Sequence, residues 1–356
     1  MPGLVLRYRE SGSRCRFIPN PTRMRMNDDS RTGESRKLIE RSFFFACFAA
    51  MVCALGSIVS AQDSAAPTPL LKKIPSDSLP NALQVNARLI SGGLPDGEEA
   101  FAQLRDLGVK TIISVDGATP DLATAEKYGL RYVHLPHGYD GISPERSSEL
   151  AKAIRDLPGP IYLHCHHGKH RSPAASATAC RALGWLDEQQ AEEVLTLAGT
   201  SPHYLGLFAS VRETKPLDPA QLDKLEVDFR PTVPLPEVAE AMVAIDQHFE
   251  HLEQLAANEW KGLPRHPALK PAHEALLLRE QFTELLRTET VRAEPAAYRE
   301  QLQAGEAIAK QLEDLLRGEA TPERSAAAAA QLKALKANCT QCHRQYRDLP
   351  EKDRSR

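Results

Sequence analysis

A nine-residue stretch combines a cysteine, a glycine and an arginine in an order suited to phosphorus chemistry. It is His164-Cys165-His166-His167-Gly168-Lys169-His170-Arg171-Ser172, and it follows an apolar run typical of a strand and precedes a small-residue run typical of a packed helix. A strand–loop–helix turn directs several backbone N–H groups and the positive end of the helix dipole toward one point. That field favours an anion and a thiolate on Cys165, while Arg171 can bind two phosphate oxygens. The stretch therefore predicts a cysteine nucleophile in an anion-binding loop.

The other loop residues are predicted to bind substrate or to support the thiolate. Gly168 lets the backbone fold beneath the anion without a Cβ clash, and the Ser172 hydroxyl can hydrogen-bond the thiolate. The backbone amides of 166–171 would hold the oxygens, so the substrate-binding residues are His166, His167, Gly168, Lys169 and His170. One alternative is a buried free cysteine beside a solvated basic loop. The other is a metal site on the loop histidines, whose alternating and adjacent spacings do not favour a preformed site.

The loop resembles the signature of a known enzyme family. Five residues separate Cys165 from Arg171, a His precedes the Cys and a Ser follows the Arg, as in the cysteine-dependent protein tyrosine and dual-specificity phosphatases. The resemblance extends over about residues 81–215. It implies an α/β phosphatase fold, a phosphocysteine intermediate, and catalytic roles for Cys165, Arg171 and Ser172.

The same resemblance implies a general acid, an Asp on a loop upstream of the cysteine. That position falls on Asp140, within the loop after the preceding strand. The alternative is that Asp140 is a turn or helix-capping residue. Other candidates for the acid are Asp116, Asp121 and His137.

The elements around the loop alternate between strands and helices. Apolar runs predict strands within 87–93, 109–115, 131–135 and 160–163, and amphipathic or capped segments predict helices over 96–107, 120–128 and 143–156. Alternation of this kind predicts an α/β phosphatase-like domain with a central, mostly parallel sheet. Such sheets bind ligands at the carboxyl ends of their strands, where Cys165 lies.

The composition and the N-terminus predict an exported protein of two domains. The chain has 356 residues, 42% of them hydrophobic and 26% charged, which is typical of soluble globular proteins, and its net charge of −3 argues against nucleic-acid binding. Residues 1–61 carry a basic flank before an apolar run and predict a signal peptide, hence export to the periplasm. An uncleaved membrane anchor facing the periplasm is the alternative. Residues 62–80 are rich in Ala, Pro, Ser and Lys and predict a flexible tether.

The C-terminal part has a different pattern. After a predicted Pro-rich linker over 216–234, four amphipathic segments over 235–349 predict an all-α, antiparallel four-helix bundle, followed by a polar tail over 350–356. The last helix carries Cys339-Thr340-Gln341-Cys342-His343, the attachment motif of a c-type haem. A thioredoxin-like cysteine pair and half of a zinc site are the alternatives.

This motif near the end of a helical bundle resembles the cytochrome c-prime family. The resemblance implies covalent haem c on Cys339 and Cys342, with His343 as an iron ligand. It leaves the sixth iron position either open or filled by Met242 on the first helix. His248, near the same face, is a less favoured ligand.

Together these features predict an exported phosphatase joined to a haem domain for electron transfer, gas binding or redox sensing. The expected partners are a phosphorylated protein or small phosphoester and a redox partner protein. Association with a membrane is expected only if the leader is uncleaved. No metal is expected in the phosphatase domain. The alternative is a haem electron-transfer or gas-binding protein whose phosphatase-like domain only binds anions. Sulfur transfer is disfavoured by the Arg-Ser ending of the loop. Cys180 is predicted to be a core residue or a disulfide partner of Cys165, and the oligomeric state, a homodimer included, is left open.

Overall fold

The computed structural model describes residues 66–264, 266–319 and 321–349. The predicted leader over 1–61 and the polar tail over 350–356 lie outside these residues. The first part of the described chain forms a mixed sheet of six strands in the order β1-β2-β3-β6-β4-β5. The strands are β1 Pro69–Lys73, β2 Leu83–Asn86, β3 Leu89–Gly92, β4 Thr111–Ser114, β5 Arg131–His134 and β6 Ile161–His164. The pairs β3/β6, β6/β4 and β4/β5 are parallel, whereas β1/β2 and β2/β3 are antiparallel.

Helices cover the sheet on both faces because neighbouring strand residues point in opposite directions. The helices of this part are α1 Gly97–Asp106, α2 Leu122–Lys127, α3 Pro144–Asp156, α4 Arg171–Ala182, α5 Glu188–Ala198, α6 Leu205–Glu213 and α7 Pro219–Lys224. Ile113 and Leu163 belong to a core shared with α3–α6. Their neighbours Ile112 and Tyr162 belong to a second core with α1 and α2. The predicted α/β class is confirmed, and each predicted strand and helix overlaps an observed one.

Two segments predicted to be unstructured carry defined elements. Within the predicted tether 62–80, residues 69–73 form β1, which pairs Lys73 with Leu83 of β2. Within the predicted linker 216–234, Leu222 of α7 is buried, and the backbone N–H of His134 donates to the carbonyl of Arg230 at 2.9 Å. Composition missed both because an edge strand and a packed connection depend on distant partners rather than on local apolar content.

The C-terminal part is helical and organised around one apolar core. Its helices in the described residues are α8 Glu237–Ala257, α9 Pro271–Arg287, α10 Glu289–Ala293, α11 Ala296–Arg317 and α12 Pro322–Tyr346. The four long ones each contribute a fully buried leucine: Leu252, Leu278, Leu312 and Leu335. This arrangement is compatible with the predicted bundle. Across the described residues, no helix combines the length and the apolar content needed to cross a membrane.

Candidate active site

The predicted nucleophile lies at the carboxyl end of β6, in the loop that leads into α4. Cys165 is only 3% exposed, and its Sγ lies 3.3 Å from Ser172 Oγ. The Ser172 hydroxyl also lies 2.8 Å from the carbonyl oxygen of Gly92, to which it donates. Ser172 therefore has one proton and two acceptors within reach, and can donate to the sulfur when Cys165 is a thiolate.

The loop backbone is held from the outside through its carbonyl groups. Three bonds do this: Leu94 N–H to His166 O at 2.9 Å, Asn81 Nδ2 to Gly168 O at 2.7 Å, and Thr200 Oγ1 to Lys169 O at 2.6 Å. Within the described part of the chain, no backbone carbonyl accepts a hydrogen bond from the N–H groups of 166–170. These donors are thus available together to an anion beside the N-terminus of α4.

Gly168 is required both by its backbone conformation and by the space around it. Its φ is +69°, and a Cβ would overlap the backbone of Gly92 and Gly93, lying 2.5 Å from Gly92 C. We expect Gly168→Ala to destabilise the protein and to lower turnover of an aryl phosphate, because the loop must shift away from β3.

Gly129→Ala is the matched control for this change. Gly129 has nearly the same φ, +68°, but a Cβ there would meet nothing within 4 Å. The Gly129→Ala change should lower the free energy of unfolding by about 1–2 kcal/mol, from backbone strain alone, and leave kcat unchanged. Urea unfolding and steady-state kinetics measure both effects. Equal losses in the two variants would contradict the role given to the loop.

Arg171 begins α4 and is held by an acidic residue at the end of β4. Its Nη2 lies 3.0 Å from Oδ1 of Asp116, and both side chains are buried. The buried Nε of Arg171 has no hydrogen-bond partner among the described residues, so it is available to a substrate oxygen. Burial raises the pKa of Asp116, but the Arg171 guanidinium and His164 outweigh it and hold this pKa below its usual value. Asp116 is therefore an ionised positioning residue for Arg171.

Asp140 lies on the loop between β5 and α3, as its sequence position predicted. The loop is fixed to α6, since the N–H of Ile142 donates to Ser210 Oγ at 2.8 Å and the Asp140 carbonyl packs against Gly206, where a Cβ would not fit. Asp140 is half-buried and directly follows Tyr139. Its role as the acid stays a prediction.

The alternative acids have other functions in the structure. Asp121 is the N-cap of α2 and accepts the N–H of Thr124 at 3.0 Å. His137 Nδ1 lies 2.8 Å from the carbonyl of Gly138, which assigns the proton to Nδ1. Burial, with Arg171 and Arg146, lowers the pKa of His137 to about 4. Its buried Nε2 therefore carries no proton to donate at neutral pH.

Two residues at the site carry no role in the sequence-based prediction. The Tyr139 ring contacts two guanidinium groups, with Cζ of Arg171 4.4 Å and Cζ of Arg347 4.2 Å from its centroid. Arg347 also donates from Nη2 to the Tyr204 hydroxyl at 3.3 Å. Burial raises the pKa of Tyr139 to about 12, so the phenol is neutral. Arg347 directly follows α12, so the helical region contributes a cation to the surroundings of Arg171.

The side chains of the loop histidines contact other elements. His166 Nε2 lies 3.4 Å from Oε2 of Glu250 on α8, and His167 Nε2 lies 3.5 Å from Oε1 of the same residue. The His170 ring packs on Tyr204 with a centroid distance of 4.5 Å, and Lys169 is exposed. If these four residues bind substrate as predicted, they do so through their backbone N–H groups.

His164, which precedes the nucleophile, is buried and structural. Its Nε2 lies 2.6 Å from the Tyr132 hydroxyl, and burial lowers its pKa to about 4. Because this folded-state pKa is below the unfolded value of about 6.5, the unfolded chain binds the proton more tightly. The contribution of His164 to stability is complete above about pH 6.5 and is lost as the pH falls toward 4.

We therefore expect His164 to lower the free energy of unfolding by about 1.4 kcal/mol for each unit by which the pH falls between about 6.5 and 4. Urea unfolding between pH 7.5 and pH 5 measures it. His164→Gln should flatten the slope relative to the unmodified chain, whereas replacement of the exposed His203 by Gln should leave it unchanged. Equal slopes in all three proteins would refute the assignment.

The predicted haem motif lies on the last turns of α12. Cys339 and Cys342 are free thiols; Cys339 packs, as Met242 does, against the core of the helical region. Within the described residues, nothing hydrogen-bonds the ring of His343, and burial, with Arg347, lowers its pKa to about 3. Two free thiols and a neutral, unpartnered imidazole are the donor set that haem c requires, so these residues fit the group. His248 instead lies 2.9 Å from Oε2 of Glu274, which makes it a poorer candidate ligand.

Comparisons with known proteins give structural likenesses only. TpbA from P. aeruginosa matches with 23% identity and a TM-score of 0.36, over 45% of this chain and 95% of that chain. TpbA in complex with pTyr matches with 22% identity and a TM-score of 0.36, over 43% of this chain and 93% of that chain. The core catalytic domain of the PP-IP phosphatase SIW14 from S. cerevisiae, in complex with citrate, matches with 16% identity and a TM-score of 0.34, over 43% of this chain and 93% of that chain. No family model and no curated protein matches the chain.

Proposed function

We propose that the α/β domain is a cysteine-dependent phosphatase that hydrolyses phosphoesters, of a phosphoprotein or a small molecule, through a phosphocysteine. The observation that carries the proposal is the loop from Cys165 to Arg171. It brings a buried cysteine, a buried guanidinium with a free Nε and the N–H groups of 166–170 together at the N-terminus of α4. This combination suits the attack of a sulfur nucleophile on the dianionic phosphoryl group of a phosphate monoester.

In the first step the Cys165 thiolate forms a bond to phosphorus while the bond from phosphorus to the leaving oxygen breaks. The amides of 166–171 and Arg171 hold the three remaining oxygens, and Asp140 donates a proton to the leaving oxygen. In the second step Asp140, now a carboxylate, takes a proton from water as the water oxygen attacks phosphorus. The sulfur–phosphorus bond breaks, phosphate is released, and the hydroxyl of Ser172 donates to the thiolate that forms.

Trapping of the intermediate tests this proposal directly. The full chain is mixed with an aryl phosphate, quenched in acid during turnover, digested and examined by mass spectrometry. Phosphate on the peptide that contains Cys165 is the expected result. Turnover with no phosphate on any cysteine would reject the covalent mechanism. The absence of turnover with a reduced Cys165 thiol would favour the alternative, a domain that only binds anions.

We also propose that the helical region holds haem c and that the chain is exported to the periplasm, where such haem is attached. Cys339 and Cys342 would hold the group through thioethers, and His343 would ligate iron, with Met242 as the candidate sixth ligand. When bound, haem supplies electron transfer, gas binding or redox sensing. The free thiols and the neutral imidazole of His343 support this proposal. A redox partner protein is the expected partner of such a domain.

The haem proposal has a spectroscopic test that does not depend on phosphatase activity. The chain is expressed in a host that matures c-type cytochromes, and its absorption is recorded after denaturation and acid–acetone extraction. Haem that stays with the protein is expected for the unmodified chain and should be lost in Cys339→Ala/Cys342→Ala. Extractable haem, or none, would count against a haem domain.

A further inference from the structure

Four side chains with metal-ligating atoms meet where the loop faces α8. His166 and His167 come from the loop, and Asp246 and Glu250 lie one turn apart on α8. One ligand atom from each of the four residues lies within 4.8 Å of the others. The contacts join two parts of the chain that have separate cores, so the cluster is formed by the tertiary structure.

Two of the three distances between these atoms are close to those between the ligands of one metal ion. Nε2 of His166 lies 3.4 Å from Oε2 of Glu250 and 3.9 Å from Oδ2 of Asp246, and Nε2 of His167 lies 3.5 Å from Oε1 of Glu250. Tetrahedral zinc with bonds of about 2.0–2.1 Å places its ligand atoms about 3.3–3.4 Å apart. A charge-assisted hydrogen bond would instead close to about 2.7–2.9 Å. The 3.4 and 3.5 Å distances are close to the spacing of a tetrahedral ligand set, and the 3.4 Å contact is also a long hydrogen bond.

We propose that His166, His167, Asp246 and Glu250 form a site for a divalent transition metal, with Zn²⁺ the ion that suits them best. Two imidazole nitrogens and two carboxylate oxygens are ligands that zinc accepts in a tetrahedral arrangement, and the two carboxylates balance its charge. The ion would join the loop that carries Cys165 to α8. It would thereby fix the helical region against the loop that carries Cys165.

Two other groups in the described residues could compete for a metal. His248 and His251 each place Nδ1 2.9 Å from the same oxygen of Glu274, and these three residues form a second group of possible ligands. Cys339 and Cys342 offer sulfur ligands when no haem is attached. A test must therefore report which atoms surround the ion as well as whether it binds.

Calorimetric titration of the full chain with ZnCl₂, after removal of metals by a chelator, measures the affinity. We expect Asp246→Asn/Glu250→Gln to weaken binding by more than the roughly 10–100-fold that loss of an outer-shell partner costs. These side chains are 55% and 34% exposed, so their replacement is compatible with folding. The matched control is Glu240→Gln/Glu253→Gln, which removes the same charge from the same helix and should bind as the unmodified chain does.

X-ray absorption at the zinc edge identifies the neighbours of the ion. Four nitrogen or oxygen neighbours at about 2.0–2.1 Å are expected, without sulfur at about 2.3 Å. The proposal is overturned if the unmodified chain does not bind Zn²⁺ or if sulfur surrounds the ion. It is also overturned if Asp246→Asn/Glu250→Gln binds Zn²⁺ as tightly as Glu240→Gln/Glu253→Gln does. If His251→Gln lost Zn²⁺ binding while Asp246→Asn/Glu250→Gln kept it, the ion would belong to the cluster of His248, His251 and Glu274. That result would also overturn the proposal.

Discussion

Cys165→Ser is expected to lower kcat for an aryl phosphate by more than about 10⁴-fold, because it removes the nucleophile on which both chemical steps depend. A serine hydroxyl in this place has no adjacent general base, since Ser172 is itself a hydroxyl and donates to Gly92 O. The anion-binding groups are unchanged, so the variant should still bind phosphate competitively with substrate. Steady-state kinetics and phosphate binding by calorimetry separate the two effects.

Cys180→Ser provides the matched control, the same chemical change in the same domain. Cys180 is fully buried on α4, its Sγ accepts a hydrogen bond from Asn86 Nδ2 at 3.8 Å, and burial raises its pKa to about 12. It should therefore remain a thiol and take no part in turnover. Cys165 and Cys180 are both free thiols in the structure. A comparable loss of kcat in both variants would show that the effect of Cys165→Ser is structural.

The second large effect is expected at the candidate acid. Asp140→Asn should lower kcat/KM by about 10²–10⁴-fold for an alkyl or phenyl phosphate, because the amide cannot protonate the leaving oxygen in the first chemical step, which kcat/KM reports. The loss should be much smaller for a p-nitrophenyl phosphate, whose phenolate leaves without a proton. Kinetics with a series of phenols of different acidity measure this dependence. A uniform loss across the series would indicate that Asp140 positions the loop and does not act as the acid.

Asp121→Asn controls for the loss of a carboxylate and also tests a competing candidate. Because Asp121 caps α2, this change should alter stability by no more than about 1 kcal/mol and leave the leaving-group dependence as it was. If Asp121→Asn, and not Asp140→Asn, made the rate more sensitive to the acidity of the leaving group, the acid would be assigned to Asp121 at the start of α2. Asp116 is unsuited to this comparison because its replacement would leave Arg171 buried without a counter-charge.

The sequence by itself determined the elements and the loop because their signals are local. Strand β6, the loop from Cys165 and helix α4 follow one another along the chain. The apolar run of the strand, the turn residues of the loop and the residues that begin the helix therefore predict all three together. The long helices from α8 to α12 were predictable for the same reason, since each shows one apolar face. The position of Asp140 on the loop after β5 also follows from chain order alone.

Only the tertiary structure decided which distant groups complete the site. Asp116 reaches Arg171 because β4 and β6 are neighbours in the sheet, and pairing order is not written in any local pattern. Arg347 reaches Tyr139, and Glu250 reaches His166, because the helical region packs against the loop. Strand β1 exists because β2 offers it an edge. Except for the β1/β2 pair, these contacts are between residues far apart in the chain, and local propensity carries no information about such partners.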